Sequence, residues 1–167
     1  MHAPKYTQSN RAYREILRAD TKNMNWTKVN SLLQGIQMKV EIKELSLLHD
    51  ERGWLTEILA SNDDSERIKQ VHFAISKPGA VRGNHYHKNR TEWLCVTSGT
   101  GRILLEDTAT HERKELIVTG DSPVLVKIFP GTIHAVENVG EVPMHLLVLV
   151  DKNPNPNNYD TAQNRRK

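Results

Sequence analysis

The chain holds one cysteine in 167 residues, so no intrachain disulfide can form. That residue, Cys95, sits in the apolar stretch Trp93-Leu-Cys-Val96, where it reads as a small buried hydrophobe rather than a nucleophile. Long hydrophobic runs are missing too. The longest, Leu146-Leu-Val-Leu-Val150, is far too short to cross a bilayer, and the N-terminus carries no apolar signal region. These absences point to the cytoplasm and to no membrane partner. A strong charge of one sign is also lacking. The net charge is +3, part of the excess lies in the Arg165-Arg166-Lys167 tail, and the charges elsewhere are mixed in sign. That argues against a nucleic-acid footprint, while leaving room for an anionic nucleotide. There is no internal repeat. A hydrophobic content of 37% and a mean hydropathy of −0.60 suit one domain with a modest core and polar extensions.

Three regions follow. Residues 1–37 are polar and mixed, with Arg11–Arg18 and Asn25–Leu33 readable as short helices of an N-terminal extension that packs on the domain or on a partner subunit. Residues 38–150 are strand-rich. Val40–Leu45 alternates as a half-buried strand does, and further strands are expected at Trp54–Leu59, Val71–Ser76, Val81–His87, Glu92–Thr97, Gly101–Glu106, Glu112–Val118, Val124–Ile128, His134–Val139 and Met144–Val150. Many short strands punctuated by Gly and Pro predict an all-β jelly-roll barrel. Residues 151–167 form a polar exit segment in which Pro and Asn favour turns.

Within the strand-rich region two blocks stand out. The first reads Gly79-AVRGN-His85-Tyr-His87-KNRT-Glu92-WLCVTS-Gly99, the second Pro130-Gly131-Thr-Ile-His134-Ala-Val-Glu-Asn138. On a strand, residues two apart share a face, so His85 and His87 project together. The polar stretch 88–91 turns the chain and brings Glu92 back beside them, and His134 opens the strand after the Pro130-Gly131 turn. Three imidazoles and a carboxylate can hold a divalent metal, zinc foremost, with iron, manganese, nickel and copper as alternatives. Taken singly, each of the four would be an ordinary surface or core residue; the spacing of all four together carries the reading.

These blocks resemble the two cupin motifs, G-x5-HxH-x4-E-x6-G and PG-x2-H-x3-N, over roughly residues 38–150. A second layer narrows the resemblance. Asp50-Glu-Arg52-Gly-Trp-Leu-Thr-Glu57, Gln70-Val-His72 and Arg82-Gly-Asn-His-Tyr86 are similar to the deoxysugar epimerase branch of the cupins. Lys77-Pro-Gly79 with Arg82–His87, Glu137-Asn-Val-Gly140 and the exit Asn155–Thr161 resemble the cupin domain of bifunctional capsular-polysaccharide enzymes. That resemblance implies C3 epimerisation of a nucleotide-linked 4-keto-6-deoxy sugar. It departs from the dehydrorhamnose epimerases in two ways. No tyrosine acid follows the second block before the exit segment, and His87 replaces their glutamine. The chain also has no stretch for a dinucleotide-binding reductase domain, so a reductase partner is expected to be a separate protein.

The chemistry needs a base for the C3 proton, a stabilised enolate and a proton donor. Histidines that ligate a metal are poor bases, so the resemblance leaves His72, beside Gln70 at the barrel mouth, as the candidate acid–base residue. Lys77 and Arg82 are candidates for the diphosphate, and Arg52 matches a family charge near the start of the barrel. A homodimer is expected from the need to cover sheet edges. Two other classes fit the metal motif by itself, a metal-dependent oxygenase and a cupin that binds a small ligand without turnover.

Overall fold

A computed structural model of the chain describes residues 38–60, 65–153 and 161–163. The described residues all fall in Gln37–Lys167, one of the two compact units into which the chain divides. The helices expected at 11–18 and 25–33 lie outside them. Apart from one 3-10 turn at Ser65–Arg67, the regular elements among the described residues are all strands: β1 Val40–Glu44, β2 Leu48–Asp50, β3 Gly53–Leu55, β4 Gln70–Ser76, β5 Val81–His87, β6 Glu92–Ser98, β7 Thr100–Asp107, β8 Arg113–Thr119, β9 Val124–Ile128, β10 Thr132–Asn138, β11 Met144–Val150 and β12 Thr161–Gln163. No helix among these residues is long and apolar enough to cross a membrane.

Two five-stranded antiparallel sheets make the jelly roll, one ordered β1-β9-β6-β11-β4 and the other β12-β5-β10-β7-β8. We call the first sheet A and the second sheet C; the two-stranded β2–β3 hairpin is sheet B. Strand alternation sorts their side chains. Leu94 and Val96 of β6, Val124, Val126 and Ile128 of β9, and Leu146 and Val150 of β11 point inward from sheet A. They meet Ile103, Leu105, Leu116, Val118 and Val136 of sheet C, and all of these residues are buried. The opposite face of sheet A has a core of its own. Trp93, Cys95, Leu125 and Leu149 are buried there with Leu45, under Ile58, Leu59 and Ile68. A strand buried on both faces reads as a continuous apolar run, as Trp93–Val96 does.

The strand expected over Trp54–Leu59 is shorter than that. Only Gly53–Leu55 is strand, paired with Leu48–Asp50 in a separate hairpin, because Ile58 and Leu59 turn aside to cover the outer core. The exit segment, read as turns, returns three residues to the ladder, Thr161–Gln163 against β5. Strands of three residues are too short to show a period, which is why β2 and β12 do not register in the sequence.

β4 closes sheet A at one edge, and its apolar residues face away from the barrel. Val71, Phe73 and Ile75 are 58%, 59% and 54% exposed, well beyond the usual scatter of single surface hydrophobes.

Candidate metal centre

Two strands of sheet C and one of sheet A bring the four side chains together. His85 and His87 leave the inner face of β5, His134 the inner face of β10 directly opposite His85, and Glu92 starts β6 in the facing sheet. One ligand atom from each lies within 4.8 Å of all the others. The His85 ring centroid sits 4.9 Å from that of His87 and 4.8 Å from that of His134. His87, Glu92 and His134 are buried and His85 is half-buried.

The glycine and asparagine of Arg82-Gly-Asn-His85 have a geometric role. His134 pairs with His85, but the next residue, Ala135, pairs with Gly83, so Asn84 is an extra residue, a β-bulge. Gly83 and Asn84 both take positive φ, 81° and 57°. A Cβ on Gly83 would lie 2.8 Å from the His134 carbonyl oxygen, so only glycine lets β5 lie against the ligand strand. The bulge also reverses the alternation. Arg82, three residues from His85, pairs with inward-facing Val136 and therefore shares the interior side with His85.

The second block is held as firmly. Gly131 N donates to His87 O at 2.8 Å, which ties the Pro130-Gly131 turn to the end of β5. Asn138 is structural: its amide donates to Ser76 O and Val142 O, both at 2.8 Å, and its backbone N and O engage Ala80 O and Gly79 N. This pins the turn between β4 and β5.

Electrostatics test the donor set. His134 Nδ1 faces Thr132 O at 3.1 Å. A carbonyl only accepts, so Nδ1 carries a hydrogen; in a neutral ring Nε2 would then turn a lone pair toward Glu92 Oε2 at 3.1 Å. Two acceptors at that separation repel unless a proton or a cation lies between them. His87 Nε2 approaches the other carboxylate oxygen, Oε1, at 2.9 Å, at an angle that makes no hydrogen bond. Burial alone would raise the Glu92 carboxyl, but the facing His134 and His87 outweigh it and hold it well below the usual carboxylate range. Burial, with the neighbouring His134 and His87, pushes His85 down to about 4. It is therefore neutral near pH 7, as a ligand must be. These residues fit a divalent cation.

The other predicted residues divide into two groups. Gln70 and His72 lie on the barrel side of β4, Gln70 in one cross-sheet row with Val150 and Glu92, and His72 in the next row with Val148 and Leu94. His72 is exposed. Arg82 reaches across from β5, Nε donating to Ser76 Oγ at 2.8 Å and Nη2 to Ile75 O at 3.0 Å. Gln70 and His72 thus face the barrel side from β4, and Arg82 shares the inner side of β5 with His85. Lys77 is exposed on the turn after β4. Arg52 is not brought to the barrel by any strand pairing among the described residues. It sits in the β2–β3 turn, bound to Asp50, with its side chain 83% exposed. One residue that sequence reasoning passed over touches a ligand: Arg90, whose Nη2 is 3.0 Å from His87 Nδ1. Its place in a four-residue turn between two ligands was the available signal.

Comparison with known proteins agrees with this architecture. The sequence profile of the polysaccharide biosynthesis C-terminal domain family matches residues 48–162. A UDP-2-acetamido-2,6-β-L-arabino-hexul-4-ose reductase of Pseudomonas aeruginosa is 30% identical over 112 residues, 67% of this chain and 29% of the reductase. A probable low-salt glycan biosynthesis epimerase of Haloferax volcanii, Agl13, is 28% identical over 119 residues, 65% of this chain and 74% of that protein. The crystal structure of CapF, a capsular polysaccharide assembling protein of Staphylococcus aureus, superimposes with a TM-score of 0.55 at 35% identity, covering 71% of this chain and 32% of CapF. The chain thus spans less than a third of the reductase and of CapF.

Proposed function

The chain belongs to the polysaccharide biosynthesis C-terminal domain family, and from that premise we propose that it is a metal-binding cupin acting as an epimerase or isomerase on a nucleotide-linked 4-keto-6-deoxy sugar. The observation that carries the reading is the position of the four-ligand cluster. Glu92 shares its cross-sheet row with Gln70, His72 stands in the next row, and Arg82 lies on the same side of β5 as His85. The reductase relative is named for a UDP-linked hexul-4-ose, which favours a uridine nucleotide and a ketone at C4.

The ketone at C4 acidifies the hydrogen at C3. His72, exposed on the inner side of β4, takes that proton or returns it to the opposite face. His85, His87, Glu92 and His134 would hold a divalent metal, zinc foremost; when bound, it would supply Lewis-acid polarisation of the ketone oxygen or hold the strands together. Gln70 orients the sugar, Arg82 and Lys77 receive the diphosphate, and Arg52 belongs with these anion-binding groups once its hairpin is covered. The working organisation is a barrel over 38–150, an N-terminal extension over 1–37 and an exit segment over 151–167. Two copies associate through the exposed edge at β4. A reductase that consumes the 4-keto product is the natural pathway partner.

The test is incubation with UDP- and dTDP-4-keto-6-deoxyhexoses in D2O, followed by mass spectrometry and proton NMR. Deuterium at the carbon beside the ketone is the expected result. No exchange with any such sugar, together with oxygen consumption on a small organic substrate, would replace this reading with the oxygenase.

A further inference from the structure

The two buried histidines that flank Glu92 are prepared in opposite ways. His134 gives its Nδ1 hydrogen to the Thr132 carbonyl, which leaves the lone pair on Nε2. His87 Nδ1 instead faces Arg90 Nη2 at 3.0 Å. An arginine offers only N–H donors, so His87 Nδ1 must accept, and the ring hydrogen stands on Nε2. Yet Nε2 is the atom that faces Glu92, where the ligand atoms converge. The arrangement places a hydrogen where a cation would need a lone pair.

From this juxtaposition we propose that Arg90 is a positioning residue that holds His87 in the tautomer unable to ligate, so that loading of a divalent cation requires Arg90 to let go of the ring. The proposal rests on the reading of the cluster as a metal centre. The balance is simple. The neutral ring keeps one hydrogen, which passes from Nε2 to Nδ1, and the freed Nε2 lone pair goes to the cation. Nδ1–H then points at a guanidinium that can only donate, so that contact breaks. Arg90 is half-buried on the polar turn between β5 and β6. Its positive charge, which already reaches His85, disfavours a second cation in the same place. Both effects set metal affinity below what the four ligands alone would give.

Partners of metal ligands typically change affinity by roughly 10- to 100-fold. Protein stripped with a chelator is titrated with zinc in competition with a chromogenic chelator. Arg90→Gln, whose amide oxygen can accept from Nδ1–H and which carries no charge, should bind zinc roughly 10- to 100-fold more tightly than the parent protein. Arg90→Lys, which keeps the charge and loses the rigid fork, should fall between the two. Independently of any variant, imidazole 15N spectra should show His87 as the Nε2–H tautomer without zinc and the Nδ1–H tautomer with it. If Arg90→Gln binds zinc no more tightly than the parent, or if His87 is already Nδ1–H before zinc is added, the proposal is overturned while the metal centre stands. If the parent takes up no zinc and His134→Ala behaves identically, the metal centre itself falls and this proposal with it.

Discussion

β6 and β4 lie in the same sheet, separated only by β11, and could hardly differ more. The first five residues of β6, Glu92–Val96, are buried, because both of its faces carry a core. Of the seven residues of β4 only Ser76 is buried, and its outward side chains face solvent. β6 supplies the carboxylate of the cluster, and β4 supplies Gln70 and His72. A ligand must be held at a fixed point and tolerate no slack, so it is set where the packing is closest. A residue that meets substrate must be reachable, so it lies at an open edge. If this division is right, damage at β6 should cost metal and stability together, and damage at β4 should cost activity or association alone.

The largest effect is expected at the buried side. Glu92→Gln or His134→Ala should reduce zinc, by elemental analysis of untagged protein, from near one per chain to a small fraction of that. If the bound metal sits at about 100 times its dissociation constant, losing it removes about 2.7 kcal/mol. For a chain of this size that is a fall in Tm of roughly 5–10 °C. Chelator should lower the Tm of the parent protein by a similar amount and leave the variants where they are. An unchanged metal content and Tm in His134→Ala would break the comparison at its root.

On the exposed side, His72→Asn should slow deuterium exchange at C3 by roughly 10²–10⁴-fold, the usual cost of a lost general acid–base group. Zinc content and Tm should not move. Unchanged exchange would keep the reaction and remove His72 from it, whereas a loss of metal or fold would show that β4 is not the independent edge it looks like.

A smaller effect tests the joint between the two regions. Gly83→Ala forces a side chain onto a positive φ, worth about 1–3 kcal/mol, and sets its Cβ 2.8 Å from the His134 carbonyl oxygen. β5 must then shift away from β10, so weaker zinc binding should accompany the lower Tm. Full zinc affinity in a destabilised Gly83→Ala would mean that the bulge serves the fold and not the cluster.

The ease with which these features can be read from sequence follows the same physics. His85, His87, Glu92 and His134 are legible because strand alternation and one four-residue turn fix their relative positions, and the structure brings all four together. The long strands are legible for the same reason. Arg82 could be nominated but not oriented: plain alternation turns it away from His85, and only the bulge at Asn84 turns it back. Arg90 stayed hidden because a residue in a turn has no periodicity from which to infer what it faces. The outer core over sheet A was equally invisible, since nothing local says that Ile58 and Leu59 leave their strand to cover Trp93 and Leu149.

The subtlest prediction concerns the outer face of β4. Val71, Phe73 and Ile75 form an apolar row along a sheet edge that no strand among the described residues pairs on its outer side, a feature that soluble proteins normally cover or charge. The β2–β3 hairpin adds exposed Leu48, Trp54 and Leu55, and a hairpin of that length is marginal without something to pack on. A second copy of the chain would cover both. Light scattering at micromolar concentration should therefore give twice the chain mass, and Phe73→Lys with Ile75→Lys should give the single mass. Because these side chains make little contact within their own subunit, the Tm of the dissociated protein should differ from the parent only by what the interface contributed, and zinc content should be unchanged. A parent protein that is monomeric at every concentration would leave β4 an edge with no partner of its own kind. A dimer that survives both lysines would place the interface elsewhere on the barrel.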